Sequence, residues 1–210
     1  MENINTKDYW EKRFITNWQG AGEQQSIEYA KANVRHILIP PAFEGTILDF
    51  GCAMGDSIPV YKENFPLARL TGMDISETAI RRCKEKYGEY AQFLVGNVED
   101  APKTDVIIAS HVLEHISDDK TIVKKLLLLC NHLFIFVPFK ENPLYIEHVN
   151  YYDENYYNDL DVVEKKIFTV EYFQNVPFTQ FVKNAVKLNF ELKHKFSKDI
   201  IMFYLQGLNN

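Results

Sequence analysis

Residues 46–56 constrain what this chain can fold into more than any other stretch. Their sequence, TILDFGCAMGD, is a short apolar run that ends in an acid and continues into a segment with two glycines. Gly51 and Gly55 can adopt backbone angles that other residues avoid, and they let a ligand come within contact of the main chain. Asp56 or Ser57 can cap a helix that follows. The stretch therefore predicts a strand that enters a helix through a ligand-binding turn.

Asp49, at the end of the apolar run, narrows the kind of ligand. A dinucleotide site would hold a pyrophosphate on the helix N-terminus in such a turn. The carboxylate of Asp49 would place a negative charge beside that pyrophosphate, whereas it suits a ligand that carries an ammonium group. For this stretch alone, an ordinary strand-to-helix turn with incidental glycines remains the alternative.

Composition limits the class of protein. The 210 residues fit one domain with a sizeable core, since 46% are hydrophobic and 14% aromatic. A formal net charge of −6 gives no basic field for a phosphate backbone, which argues against nucleic acid as a partner. Three widely spaced cysteines, Cys52, Cys83 and Cys130, fit reduced thiols better than a disulfide framework. No run reaches the roughly twenty apolar residues of a spanning helix, so we expect a cytoplasmic protein without a membrane span.

The N-terminal residues predict a helical cap over 1–43. An amphipathic helix is indicated at 7–17 by a stripe at near-helical spacing, formed by Tyr9 or Trp10 with Arg13, Phe14 and Trp18. The stripe serves packing in one interpretation. In the other, Tyr9 and Trp10 cover a cationic ligand with their ring faces. A glycine break and a second helix at about 25–37 complete the cap.

Strands and helices alternate strictly along the rest of the chain, which predicts a parallel sheet. The predicted strands after the first are residues 68–75, 91–97, 105–110, 132–138, 162–170 and 199–206, and the predicted helices are residues 76–87, 121–130 and 179–188. Asp74 would lie at the C-terminal tip of the second strand, where an acid can accept both hydroxyls of a ribose. A helix-capping or solvated acid is the alternative for Asp74.

Taken together, these residues resemble the class I S-adenosylmethionine-dependent methyltransferases over about 44–140. That family's pattern, D-x-G-x-G-x-G, is matched by Asp49, Gly51 and Gly55, with Ala53 in place of the middle glycine. The resemblance implies an α/β fold: a doubly wound, mostly parallel, seven-stranded Rossmann-like sheet with an antiparallel last strand, over 44–210. The segment YWEKRF at 9–14 also looks like the opening of many small-molecule members.

By the resemblance, S-adenosylmethionine is the cofactor and its contacts can be assigned. Asp74 would hold the ribose hydroxyls, and Asn97 with the backbone of Val98 would read the adenine edge. Ser110 would lie under the methionine part. Tyr9 and Trp10, with the turn at Asp49, would complete the cofactor site.

The segment His111-Val-Leu-Glu114-His115 has a second interpretation. H-x-x-E-H is a zinc-protease signature in which two histidines on one helical face bind the metal. Here it directly follows a predicted buried strand, which is the wrong context for that helix. We therefore expect no metal, and we assign His111 and His115 to a pocket wall or to packing and hydrogen bonding.

Residues 139–160 predict an acceptor-binding insert, because tyrosines and polar tips are dense there without a clear period. A protein-interaction surface is the alternative. His148 is the first candidate for a general base, with Glu147 behind it. The acceptor we expect is a small-molecule hydroxyl on a sugar, a lipid or another metabolite, a preference that rests on the resemblance.

Three other functions stay open. A nucleotide-dependent oxidoreductase would share the early alternation but should carry G-x-G-x-x-G, which Gly51 and Gly55 do not complete. A catalytically silent family member would act as a binding module, and Ala53 and Asn97 are the departures that suggest it. A nucleic-acid methyltransferase is disfavoured by charge and by the lack of an Asn-Pro-Pro-Tyr or Asp-Pro-Pro-Tyr segment after the fourth strand.

Overall fold

The computed structural model describes residues 4–16, 21–177 and 191–208. Its α-helices within these ranges are α1 (Lys7–Thr16), α2 (Ala21–Asn33), α3 (Ile58–Asn64), α4 (Glu77–Tyr87) and α5 (Asp119–Leu127). Its strands are β1 (Thr46–Phe50), β2 (Arg69–Asp74), β3 (Ala91–Val95), β4 (Val106–Ser110), β5 (His132–Pro138), β6 (Val162–Pro177) and β7 (Glu191–Gln206). Short 3₁₀ helices lie at Val34–His36, Val98–Asp100 and Leu113–His115.

These strands form one seven-stranded sheet in the order β3-β2-β1-β4-β5-β7-β6. The pairs among β1 to β5 are parallel, whereas β7 runs antiparallel to both of its neighbours. This arrangement confirms the predicted fold class, including the antiparallel last strand. The order reverses between β1 and β4, and the crevice beyond the carboxyl ends of the strands at such a point is where open α/β sheets bind ligands.

The central strands are buried on both faces, as their near-continuous apolar sequences require. Successive residues of β4 belong alternately to two core clusters: Val106 and Ile108 to one, Ile107 and Ala109 to the other. This alternation follows from the period of two along a strand. The sheet is therefore held rigidly between two apolar layers, which fixes the positions of the strand tips.

Helix α1 is tied to the start of α4. Glu11 accepts hydrogen bonds from the backbone N–H groups of Glu77 at 2.5 Å and Thr78 at 3.3 Å, where a carboxylate is favoured by the helix dipole. At the other end of α1, Arg82 donates to the carbonyl of Phe14 at 3.0 Å. These bonds place α1 across the carboxyl edge of the sheet.

Some predicted bounds need correction. Helix α2 begins and ends four residues earlier than the predicted 25–37, and a 3₁₀ turn follows it. Strands β6 and β7 extend to Pro177 and from Glu191, because the two backbones satisfy each other's hydrogen bonds whatever side chains they carry. Trp18 and the whole helix predicted at 179–188 lie outside the described residues. Within the described ranges, no helix has the length and apolarity that crossing a membrane requires.

Candidate functional site

The turn after β1 has the backbone that its glycines predicted. Gly51 has a φ of +77° and Gly55 a φ of +76°, values that favour glycine. A Cβ on Gly51 would lie 2.4 Å from a methyl of Val112, so no larger residue fits there. The N–H groups of Gly51 and Cys52 both donate to the carbonyl of Met73, at 2.8 and 2.9 Å. The turn is thereby fixed to the end of β2.

Ala53 takes the middle position of this turn with a φ of +49°. An L-residue in the left-handed region carries a strain of about 1–2 kcal/mol. Two hydrogen bonds hold it there: its N–H donates to Asp74 Oδ2 at 3.0 Å, and the thiol of Cys83 donates to its carbonyl at 3.2 Å. The turn thus keeps a glycine-like backbone without the glycine.

Asp49 is buried at the end of β1, with 4% of its surface exposed. Burial raises the pKa of its carboxyl to about 7, although the hydroxyl of Ser57 partly opposes this by donating to Oδ2 at 2.5 Å. Ser57 precedes α3 as expected, but its hydroxyl oxygen accepts no cap hydrogen bond, because its backbone is already helical (φ −72°, ψ −29°) rather than extended as in a capping residue. A buried carboxylate of this kind favours a cationic ligand over an anionic one.

Asp74, the last residue of β2, points its carboxylate toward the turn. Oδ1 accepts from the N–H of Ser76 and Oδ2 from that of Ala53, both at 3.0 Å. Burial raises the pKa of Asp74 to about 6, and these backbone donors limit the rise. Each carboxylate oxygen retains a free lone pair for a further donor.

Asn97 and Val98 follow β3 at the same edge. The side-chain carbonyl of Asn97 accepts from the N–H of Glu99 at 2.8 Å, and its own N–H donates to Asp100 at 3.1 Å, which forms a capping box on the 3₁₀ helix. Asn97 is exposed and Val98 is buried. The cap fixes the backbone of Val98 beside the cavity.

Ser110, at the tip of β4, accepts a hydrogen bond of 2.9 Å from the side-chain amide of Asn33. Asn33 ends α2 and is fully buried. Its Oδ1 has no hydrogen-bond partner among the residues that the structure describes. The sequence did not single out Asn33, whose only signal was a polar residue at the end of a predicted cap helix.

An aromatic stack covers the end of β4. His111 has a φ of +53°, and its ring stacks on Tyr29 with centroids 3.9 Å apart. Tyr172 of β6 meets Tyr29 edge-on at 5.8 Å. The pocket-wall interpretation placed His111 here, whereas Tyr29 and Tyr172 were not recognised from the sequence because neither lies in a motif.

Glu147 is buried under α1. The hydroxyl of Tyr9 donates to its carboxylate in a short hydrogen bond, and Arg13 Nε donates at 3.2 Å. Asn5 donates to its carbonyl at 2.8 Å. Tyr9 is therefore engaged with the insert, while Trp10 faces the cavity and meets the ring of His115 at 4.9 Å.

His148 is held by an acid. Its Nδ1 donates to Glu141 in a short hydrogen bond, and Lys198 donates to the other oxygen of Glu141 at 2.9 Å. Burial lowers the pKa of His148, but the bond to Glu141 outweighs it and the pKa is raised. The imidazole thus has a fixed orientation beside the cavity.

The segment after β4 forms a 3₁₀ helix, Leu113–His115, rather than the α-helix of a zinc protease. Glu114 is 1% exposed and accepts from His111 Nδ1 at 3.1 Å. Burial works to raise the pKa of Glu114, but His111 and the neighbouring imidazoles outweigh it and lower the pKa. His115 donates from Nδ1 to the carbonyl of Glu147 at 3.0 Å, and burial lowers its pKa.

A single cavity of about 830 Å³ joins these groups, within the usual range for small-molecule sites. The predicted site residues along its wall are Trp10, Asp49, Gly51, Asp74, Asn97, Val98, Ser110, Glu147 and His148. Gly55 instead shapes the turn, since a Cβ there would meet the sulfur of Cys83 at 3.0 Å. Residues at the carboxyl ends of β1 to β4 line the cavity together with residues of α1 and of the insert.

The sheet order, the turn after β1 and the acid at the tip of β2 define a class I methyltransferase fold. Residues 48–132 match the family model described as a methyltransferase domain. This match and the fold support a class I S-adenosylmethionine-dependent methyltransferase.

Relatives with this domain act on different acceptors. Over 92 residues the chain is 29% identical to trans-aconitate 2-methyltransferase of Rhodopseudomonas palustris strain HaA2, which covers 42% of this chain and 36% of that protein. Over 133 residues it is 27% identical to malonyl-[acyl-carrier protein] O-methyltransferase of Anoxybacillus flavithermus, which covers 60% of this chain and 50% of that one. The chain therefore spans at most half the length of these curated relatives.

Solved structures share the fold. A chain from the complex of the Haloferax volcanii Trm112 methyltransferase activator with a methyltransferase superposes with a TM-score of 0.63 at 14% identity, over 75% of this chain and 78% of that one. The N-terminal domain of EvdMO1, solved with SAH bound, superposes with a TM-score of 0.54 at 13% identity. The superposition covers 85% of this chain and 81% of that one.

Proposed function

We propose that this protein transfers the methyl group of S-adenosylmethionine to an oxygen of a small-molecule acceptor, with a hydroxyl as the preferred acceptor. The observation that carries the proposal is the cavity itself, which runs from two buried acids at the tips of β1 and β2 to the imidazole of His148. A cofactor at one end would present its methyl group to an acceptor at the other. The name of one relative specifies O-methyl transfer, and the net charge of −6 favours a small molecule over nucleic acid.

At the cofactor end, we propose the contacts that the family resemblance implies. Asp74 would accept the ribose hydroxyls with the lone pairs left by its two backbone donors. Asp49 would face the ammonium of the methionine part, above Ser110. Asn97 and the backbone of Val98 would meet the adenine edge. The bound SAH in a domain of the same fold supports this type of cofactor.

At the acceptor end, the cap (1–43) and the insert (139–160) would enclose the acceptor. Their contact is formed by Tyr9 and Arg13, which donate hydrogen bonds to the buried carboxylate of Glu147. Because those partners occupy the Glu147 carboxylate, His148 is the better candidate for the base, and Glu141 would position its imidazole. Trp10, at the junction of the two ends, would limit water near the methyl group.

Methyl transfer requires mainly that the protein align the acceptor with the cofactor. The sulfonium already activates the methyl group, so the chain must place the acceptor oxygen in line with the departing sulfur. Orientation of this kind can lower a barrier by roughly 7–11 kcal/mol. A neutral hydroxyl also needs a base, and general-base assistance is worth about 10² to 10⁴ in rate.

Calorimetry and transfer of a labelled methyl group test the proposal together. We expect S-adenosylmethionine and SAH to bind and NAD to give no heat, because Asp49 opposes a pyrophosphate. Label should pass to hydroxyl or carboxylate metabolites in a fractionated extract. Binding of NAD without S-adenosylmethionine would reject the proposal in favour of an oxidoreductase, and SAH binding without any transfer would favour a binding module.

A pair of histidine variants tests the base. His148→Ala should keep the dissociation constant for SAH and lower turnover by about 10² to 10⁴. His132→Ala is the matched control, because His132 begins β5 and contacts Tyr204 at 2.9 Å, away from the residues that line the cavity. Wild-type turnover in His148→Ala would remove His148 from the reaction.

A further inference from the structure

We infer that Glu114, His115 and His148 form a site for a divalent transition-metal ion at the acceptor end of the cavity. Each residue offers one ligand atom, and these atoms lie within 4.8 Å of one another. All three line the cavity. Two imidazoles and one carboxylate are a donor set that binds Zn²⁺ in hydrolases and Fe²⁺ in oxygenases.

Glu114 supplies an independent indication of a missing cation. Its carboxylate is 1% exposed, and Oε1 is used by His111. Oε2 is buried with no hydrogen-bond partner among the residues that the structure describes. A buried carboxylate oxygen without a partner is costly. The neighbouring acids differ, since Glu141 is paired with Lys198 and Glu147 with Arg13.

Both histidines are held as metal ligands usually are, with one ring nitrogen donating to a fixed acceptor. His115 donates from Nδ1 to the carbonyl of Glu147, and His148 donates from Nδ1 to the carboxylate of Glu141. In each ring this leaves Nε2 with the free lone pair. The two rings are neighbours, with centroids 5.0 Å apart.

Binding of a metal ion requires the three ligand atoms to move slightly closer together. Ligand atoms at about 2.1 Å from a tetrahedral ion lie roughly 3.4 Å from each other, against the upper limit of 4.8 Å here. A small displacement of His148 toward Glu114, made together with its partner Glu141, would bring the ligand atoms together and keep the hydrogen bond between His148 and Glu141. The cavity side of the ion would stay open for an acceptor oxygen.

This site differs from the one that the sequence motif suggested. H-x-x-E-H would pair His111 with His115 as metal ligands. In the structure, however, the ring of His111 stacks on Tyr29, and its Nδ1 donates to Oε1 of Glu114. His148 takes the place of His111 in the cluster. With an ion bound, Nε2 of His148 would be a ligand rather than a base, and the ion would instead acidify an acceptor hydroxyl as a Lewis acid.

The test measures metal alone, without cofactor or acceptor. Protein stripped with a chelator is titrated with Co²⁺, whose visible absorption reports the number of nitrogen and oxygen ligands, and with Zn²⁺ in competition. We expect one ion per chain, a spectrum of a low-coordinate site, and at least about 100-fold weaker binding in Glu114→Gln and in His148→Ala. Glu141→Gln, which removes the charged acceptor behind His148, should weaken binding about 10- to 100-fold.

His132→Ala serves as the control and should bind Co²⁺ as the wild type does. His148→Ala changes a partly exposed insert residue, so it remains informative if Glu114→Gln does not fold. Absence of stoichiometric Co²⁺ binding, or equal binding in wild type and both ligand variants, would overturn the site. Because the readout needs no methyl transfer, failure here leaves the proposed function standing, and failure of methyl transfer leaves this result interpretable.

Discussion

Replacing Asp49 by Asn removes a charge that the folded chain buries at the end of β1. The pKa of this carboxyl is raised from the ordinary 3.8 to about 7 by burial, a gap of about three pH units. At 1.36 kcal/mol per unit this corresponds to about 4 kcal/mol of destabilisation by the ionised form. Asn keeps the shape and an acceptor for Ser57, but its buried amide N–H groups cost about 1–3 kcal/mol.

The sign of the pH dependence follows from the raised pKa. In the wild type, the folded state binds the Asp49 proton more tightly than the unfolded state does. Stability from this group is therefore fully present below about pH 4 and is lost as the pH rises to about 7. Asp49→Asn does not lose stability in this way, because the Asn side chain does not ionise. We expect its free energy of unfolding, relative to wild type, to rise by up to about 4 kcal/mol between pH 4 and pH 8.

Urea unfolding at several pH values measures this difference, with Asp105→Asn as the matched control. Asp105 accepts hydrogen bonds from the N–H and hydroxyl of Thr46, at the opposite end of β1, and these lower its pKa. Its contribution is present above the ordinary carboxyl pKa and lost as the pH falls, so Asp105→Asn should destabilise most near neutral pH. The two variants should show opposite pH slopes.

The same substitution should lower affinity for SAH about 10- to 150-fold if Asp49 faces the ammonium group. The burial argument is refuted if the relative stability of Asp49→Asn is the same at pH 4 and pH 8. Unchanged SAH affinity, with the expected stability change, would instead remove only the ligand role.

Two further substitutions test the turn and its acid. Asp74→Ala should weaken SAH binding about 10- to 150-fold by calorimetry. Asp74→Asn should have an affinity between those of Asp74→Ala and the wild type. If Asp74→Ala and the wild type have equal dissociation constants for SAH, Asp74 does not hold the ribose. Ala53→Gly relieves left-handed strain of about 1–2 kcal/mol and adds about 0.5–1 kcal/mol of backbone entropy cost, so thermal unfolding should show equal or slightly higher stability. Ala79→Gly, within α4, should lose about 1 kcal/mol or more, and an equal loss in both glycine variants would contradict the strain argument.

The sequence by itself predicted the fold and the grouping of two acids and a glycine turn at one edge of the sheet. Apolar runs that alternate with helical periods predict a parallel sheet, and the carboxyl ends of parallel strands lie at one edge. An acid at the tip of β1 and another at the tip of β2 must therefore lie near each other, as Asp49 and Asp74 do. Gly51 and Gly55 predicted the turn because glycine, which lacks a Cβ, adopts positive φ without steric cost.

Only the tertiary structure decided what meets those strand tips. Tyr9 bonds Glu147, Asn33 bonds Ser110, and His148 joins Glu114, each pair brought together from distant parts of the chain. Such contacts depend on how α1, α2 and the insert pack over the sheet, and no local period or motif encodes that packing. The short motif H-x-x-E-H contains two histidines of one segment, whereas the packing of the insert brings a ligand atom of His148 within 4.8 Å of those of Glu114 and His115. Local residue chemistry therefore specified the scaffold, and long-range packing specified which side chains lie together beside His148.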